Sequence, residues 1–136
     1  MAIDFTARTV GPHPAPVTDG SVELWSFDQG GTQLPEYDIV PTALDLPGYH
    51  AAHRATCRLP GVCSQITLDF FTVGPATVTA LDAGGAPVAP PVMAAVTGAL
   101  ETVNIVDPRI ASFTIEAADN LDLLRLDWQL ADKVKA

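Results

Sequence analysis

The side chains best suited to chemistry lie close together in the chain. They are Tyr49, His50, His53 and Arg54, with Tyr37 a short distance before them. An aromatic ring stacks on the apolar face of a sugar, and His and Arg donate hydrogen bonds to hydroxyls or a carboxylate, so the cluster reads as a binding surface. The alternative is an ordinary loop whose tyrosine packs on the core. His50 and His53, three apart, would also share a metal on one helical turn with Asp45 nearby, although no clear third ligand accompanies them. Asp119, Asp122 and Asp127 gather near the C-terminus. Carboxylates converging with loop carbonyls suit calcium, but no spaced acidic loop is present, and residues along a strand project to different faces, so solvent-side decoration is the competing reading. Trp128 shares a strand face with Leu124 and Leu126, which argues for core. Trp25 shares one with Glu23 and Phe27 and stays open as a ligand contact against simple packing.

Cys57 and Cys63 enclose Arg-Leu-Pro-Gly-Val. A reversal centred on Pro60 would set them opposite each other across a hairpin, within bridging distance. The alternative is two reduced, buried thiols. No second cysteine pair or spaced histidine pair completes a zinc signature. Catalytic patterns are missing too: no G-x-S-x-G elbow, no HExxH and no Walker sequence. Glu36 and Asp38 are too close in sequence to suggest a glycosidase pair, whose members come from different elements. The chain therefore reads as a binding protein and not an enzyme.

The elements that must position these residues are strands. Twelve prolines and ten glycines among 136 residues favour many turns over long helices. Ile3-Asp-Phe-Thr-Ala reads as a short edge strand, and the three prolines of Gly11-Pro-His-Pro-Ala-Pro as an extended crossing. In Val22-Glu-Leu-Trp-Ser-Phe, alternation puts Val22, Leu24 and Ser26 on one face and Glu23, Trp25 and Phe27 on the other. Residues 32–58 are the least regular. They read as one possible strand at Tyr37-Asp-Ile-Val, then a long loop with a single helical turn near 51–54, the kind of segment that often carries function. From Ser64 onward alternation is clear, and turns recur at the spacing of a sandwich. Residues 87–96 read as a proline-blunted edge strand.

The expected fold is thus all-β: one antiparallel β-sandwich domain of the jelly-roll kind over 1–136, with about eight strands and at most one helical turn. Residues 1–20 would be an extended arm with an edge strand, and 130–136 a polar tail. Seven basic against sixteen acidic residues give a formal net charge of −9. That field repels a phosphate backbone and an anionic membrane surface, so neither nucleic acid nor membrane insertion is expected. Met1-Ala-Ile-Asp has neither a basic n-region nor an apolar h-region, so the expectation is a cytoplasmic protein, one exported by another route, or a chain from which a leader has been removed. With 48% hydrophobic and only 17% charged residues, a homo-oligomer is expected.

The segments Ile66-Thr-Leu-Asp-Phe, Ala76-Thr-Val-Thr-Ala-Leu-Asp-Ala-Gly-Gly, Glu101-Thr-Val-Asn-Ile, Ile110-Ala-Ser-Phe-Thr-Ile-Glu and Leu121-Asp-Leu-Leu-Arg-Leu-Asp resemble the galactose-binding-domain-like jelly roll that underlies many carbohydrate-binding modules. The likeness covers most of 64–129, and its motifs are turn glycines and core alternation. It implies a carbohydrate-binding module without catalysis, with calcium as the one cofactor to consider. The alternative is a structural or adaptor domain making protein–protein contacts in an oligomeric assembly.

Overall fold

Two strands are far longer than ordinary strands, and they organise the fold. In the computed structural model, which describes all residues except 43–44, 52, 73, 95–99, 119–120 and 132–136, β6 runs Arg54–Thr72 and β9 runs Glu101–Ala117. The other strands among the described residues are β1 (Ala2–Asp4), β2 (Gly11–Pro14), β3 (Glu23–Phe27), β4 (Glu36–Pro41), β5 (Pro47–His50), β7 (Ala76–Leu81), β8 (Val92–Ala94) and β10 (Leu121–Leu130). Every ladder between them is antiparallel.

β6 and β9 pair with each other along most of their length, but their flanks change partners half-way. At 54–58, β6 is flanked by β3, and at 112–117 β9 is flanked by β7, which carries β8 at its edge. These pairings form the first layer. At 65–72, β6 is flanked by β10, which pairs in turn with β5 and β1, and β5 continues to β4 and β2. These form the second layer. The β6–β9 register breaks between Arg58 and Cys63. Pro60 lies inside that break, and Pro108, between Val106 and Ile110 on β9, faces a second register shift between Cys63 and Gln65. A proline has no N–H for a ladder, so a break between layers is where a strand can hold one.

The inner faces of the layers close one core. Leu24, Cys57, Phe113, Ile115 and Val78 come from the first layer; Ile66, Leu68, Phe70, Leu126 and Trp128 come from the second. Contacts cross directly between layers. The hydroxyls of Ser26 on β3 and Tyr49 on β5 hydrogen-bond. A Cβ on Gly20 would stand 2.7 Å from the Trp128 ring, and only the bare glycine, at φ +63°, admits that approach.

Several expectations are corrected. Among the described residues there are ten strands where about eight were expected, and two short 3₁₀ turns, at Phe5–Ala7 and Asp19–Ser21, where one turn near 51–54 was expected. Arg54 instead begins β6. The first twenty residues are not an arm: β1 pairs with β10, β2 pairs with β4, and Ile3, Phe5 and Val17 are buried. The irregular stretch holds β4 where a possible strand was read, with Tyr37 and Ile39 alternating inward and Glu36 and Asp38 outward, and also β5, where a loop was expected. No reversal occurs at Pro60. Cys57 and Cys63 lie on the same strand, and both thiols are free and buried. Burial pushes the Cys57 thiol up to about 12. Leu130 belongs to β10, and Ala131 donates its N–H to Val62, so the tail begins later than 130. Of the strand expected over 87–96, only Val92–Ala94 forms one, β8; Pro87 makes an isolated bridge to Leu81, 88–91 lie outside any strand, and 95–96 lie outside the described residues.

Candidate functional site

The residues expected to form one cluster are distributed over three places. Tyr49 is 0% exposed, its ring 5.3 Å from Phe5 and 5.4 Å from Tyr37. Burial raises its phenol well above the ordinary range. Tyr37 is likewise buried, stacked on His13 and accepting from Arg8 Nη1 at 2.9 Å. Burial takes both rings away from any ligand on the surface. His50 lies on the outside of the second layer, where its Nδ1 is 3.0 Å from Asp122 Oδ1. It is not on a shared turn with His53, and the hydrogen bond to Asp122 holds its pKa above the usual imidazole range. Asp122 is thereby engaged, Asp127 pairs with Arg125 at 2.7 Å, and Asp119 lies outside the described residues. No group of three His, Cys, Asp or Glu converges to hold a metal among the described residues.

The remaining candidates, Trp25, His53 and Arg54, do come together, on the outer face of the first layer. There the antiparallel register sets side chains in rows across the strands. One row runs Glu23, Arg58, Ser112, Leu81. The next runs Trp25, Thr56, Thr114, Thr79. A third runs Arg54, Glu116, Thr77, Met93. The period of two explains why these project outward while Leu24, Cys57, Phe113 and Val78, one step along each strand, are buried.

Two hollows lie on this face. One, of about 400 Å³, is walled by Glu23, Trp25, Arg54, Thr56 and Thr114 among others. The second, of about 490 Å³, lies at the end of the layer, where Asp28, His53, Arg54, Thr77 and Glu116 meet. Arg54 borders both, its guanidinium 5.8 Å from the Phe27 ring centre. Arg8, Arg58, Arg109 and Arg125 each pair with a carboxylate within 3.0 Å. Among the described residues Arg54 forms no such ion pair, and it lines both hollows. Trp25 is half-buried, and its indole donates to Glu23 Oε1 at 2.9 Å. The opposite Glu23 oxygen accepts from Arg58 Nη2 at 2.5 Å. The indole hydrogen bond, reinforced by Arg58, holds the Glu23 carboxyl below the usual range.

Thr56, Thr79, Thr114, Arg58 and Glu116 were not among the sequence candidates. Their signal was present as outward parity, in Thr77-x-Thr79 and Ser112-x-Thr114-x-Glu116, but it becomes a surface only once the strand order is known.

No protein-family model matches the sequence, and no curated protein matches it. Solved structures that resemble it include carbohydrate-binding modules. A family 6 carbohydrate-binding module studied for its binding sub-sites aligns over 96% of this chain and 93% of its own, at 8% identity and a TM-score of 0.47. CsCBM6-3 from Clostridium stercorarium, solved in complex with cellobiose, aligns over 96% and 93% at 12% identity and a TM-score of 0.40. CBM51-2 of Clostridium perfringens ZmpB, in complex with GlcNAc, aligns over 97% of this chain and 32% of that one, at 10% identity and a TM-score of 0.44. Likeness at this level carries no argument about ligand, and the antiparallel sandwich stands on the ladders described above.

Proposed function

We propose that this chain is a non-catalytic carbohydrate-binding domain that holds a neutral glycan on the outer face of its first layer. One observation carries the reading: a half-buried indole lies in register with a row of threonine hydroxyls on an open, shallow surface. Sugars present one apolar C–H face, which stacks on an aromatic ring, and a rim of hydroxyls, which exchange hydrogen bonds with hydroxyl, guanidinium and carboxylate groups. Trp25 supplies the first; Thr56, Thr114, Arg54 and Glu116 supply the second.

The charge favours a neutral ligand. Two arginines, 54 and 58, face three carboxylates, Glu23, Asp28 and Glu116, around the two hollows. The whole chain carries −9. An acidic glycan would meet a repulsive field.

Titration calorimetry against soluble mixed-linkage β-glucan, xylan and galactan tests this. At least one should bind, and Trp25→Ala should weaken that binding at least ten-fold while leaving the melting temperature nearly unchanged. Absence of binding to any neutral glycan, or an unaffected Trp25→Ala variant, would sink the reading.

A further inference from the structure

We propose that Glu23 is a positioning residue: it clamps the Trp25 indole in the orientation that presents its ring to ligand. This inference rests on the carbohydrate reading and adds to it the device that makes the platform rigid. Trp25 sits on β3, whose one ladder among the described residues is with β6. On the opposite flank of β3, only isolated bridges form among the described residues, Val17 with Leu24 and Phe27 with Gln33. The indole thus has a row neighbour, Thr56, on one side, and among the described residues no strand ladder supports it from the other.

Glu23 supplies what the missing strand would. Two residues before Trp25 on the same face, it accepts the indole N–H on Oε1 at 2.9 Å. Its other oxygen is fixed by Arg58, the residue opposite it in register. One carboxylate therefore ties the ring to β6, the strand that carries Thr56 and Arg54.

The exposure of this triad separates a positioning role from a structural one. The Glu23 and Arg58 side chains are 40% and 73% exposed. Ion pairs that open to water contribute little stability. A ring held in its bound orientation, by contrast, loses less conformational freedom on binding, and that gain appears in affinity.

The test uses the full chain with both tryptophans replaced by 5-fluorotryptophan, the Trp25 signal being assigned by its loss in Trp25→Phe. In the glycan titration above, Glu23→Ala should bind about three- to ten-fold more weakly. Its Trp25 fluorine signal should shift and change width in the free protein, while the Trp128 signal and the melting temperature stay put. Glu23→Gln keeps an oxygen for the indole N–H and should recover most of the affinity. Wild-type affinity in Glu23→Ala, or an unmoved Trp25 signal, overturns the proposal. Equal weakening in Glu23→Ala and Glu23→Gln also overturns it, since the charge itself would then be what the ligand meets. If the wild type binds no glycan, the carbohydrate reading falls instead; the proposal falls with it, and the fluorine shifts report only on the free ring.

Discussion

Tyr49 and Trp25 are both aromatic residues that sequence reasoning offers as sugar platforms, and the fold sends them in opposite directions. Tyr49 follows Pro47-Gly48, which reads as loop, yet those residues pair with β4 and draw the ring into the core. Chemistry of residue type was legible; the side of the sheet was not, because parity is defined only after a strand is recognised. The difference is measurable. Tyr49→Ala should cost about 3–5 kcal/mol, as a large ring deleted from a packed core does, and chemical denaturation would register it. Trp25→Ala should cost far less and act on binding. His50 makes a second residue-scale prediction. Asp122 raises its pKa in the folded state, so protonation favours folding. That stabilisation is fully present below the ordinary imidazole value of about 6.5 and is lost as pH rises through the higher folded value. Asp38 adds to the effect from β4. Asp122→Asn should therefore flatten the stability–pH profile across neutral pH; an unchanged slope would show that the pair does not couple to folding.

Strands with clean alternation were readable, and the reason lies in their surroundings. Residues 65–70 of β6 and 111–117 of β9 each have one face on the core and one in water, which writes a period of two into the sequence. The run 22–27 is the same case, with Val22, Leu24 and Ser26 inward as its pattern implies. The hidden feature was continuity. Pro60-Gly61 looks like a hairpin turn locally, and only the pairing of β6 with β3 and then β10 shows it to be a crossing between layers. β5 escaped for a related reason. A glycine weakens any strand reading, yet Gly48 is required there: a Cβ would stand 2.8 Å from Thr42 Cγ2 and 3.5 Å from the Leu123 carbonyl. Thr42 is itself buried and cannot move freely. Gly48→Ala should consequently destabilise by about 1–3 kcal/mol, the usual cost of overpacking. Gly84→Ala, where the nearest atom is an Asp82 oxygen at 3.4 Å on an exposed turn, should be nearly silent. Thermal melts of the two variants side by side decide it.

At the scale of the molecule, the binding face and the core are the two sides of the same strands. The reading from sequence divided the chain into a regular scaffold after residue 64 and an irregular, functional part before it. The proposed face does not respect that division, because β7 and β9 supply Thr79, Thr114 and Glu116 while β3 and β6 supply Trp25, Thr56 and Arg54. Such a surface exists only through long-range pairing, which no local pattern encodes. The same pairing has a thermodynamic consequence. Because β6 and β9 each run through both layers, neither layer has a complete set of strands without the other. Unfolding one would strip ladder partners from both long strands and expose half of a shared core. The domain should therefore unfold as one cooperative unit. Nature has placed one reporter in each layer: Trp25 in the first and Trp128 in the second. In urea, the fluorescence transitions of Trp25→Phe and Trp128→Phe variants should each coincide with the loss of strand signal by circular dichroism in the same variant. A separate, earlier midpoint for Trp25 would mean that the first layer opens alone, and that the two long strands do not couple the layers.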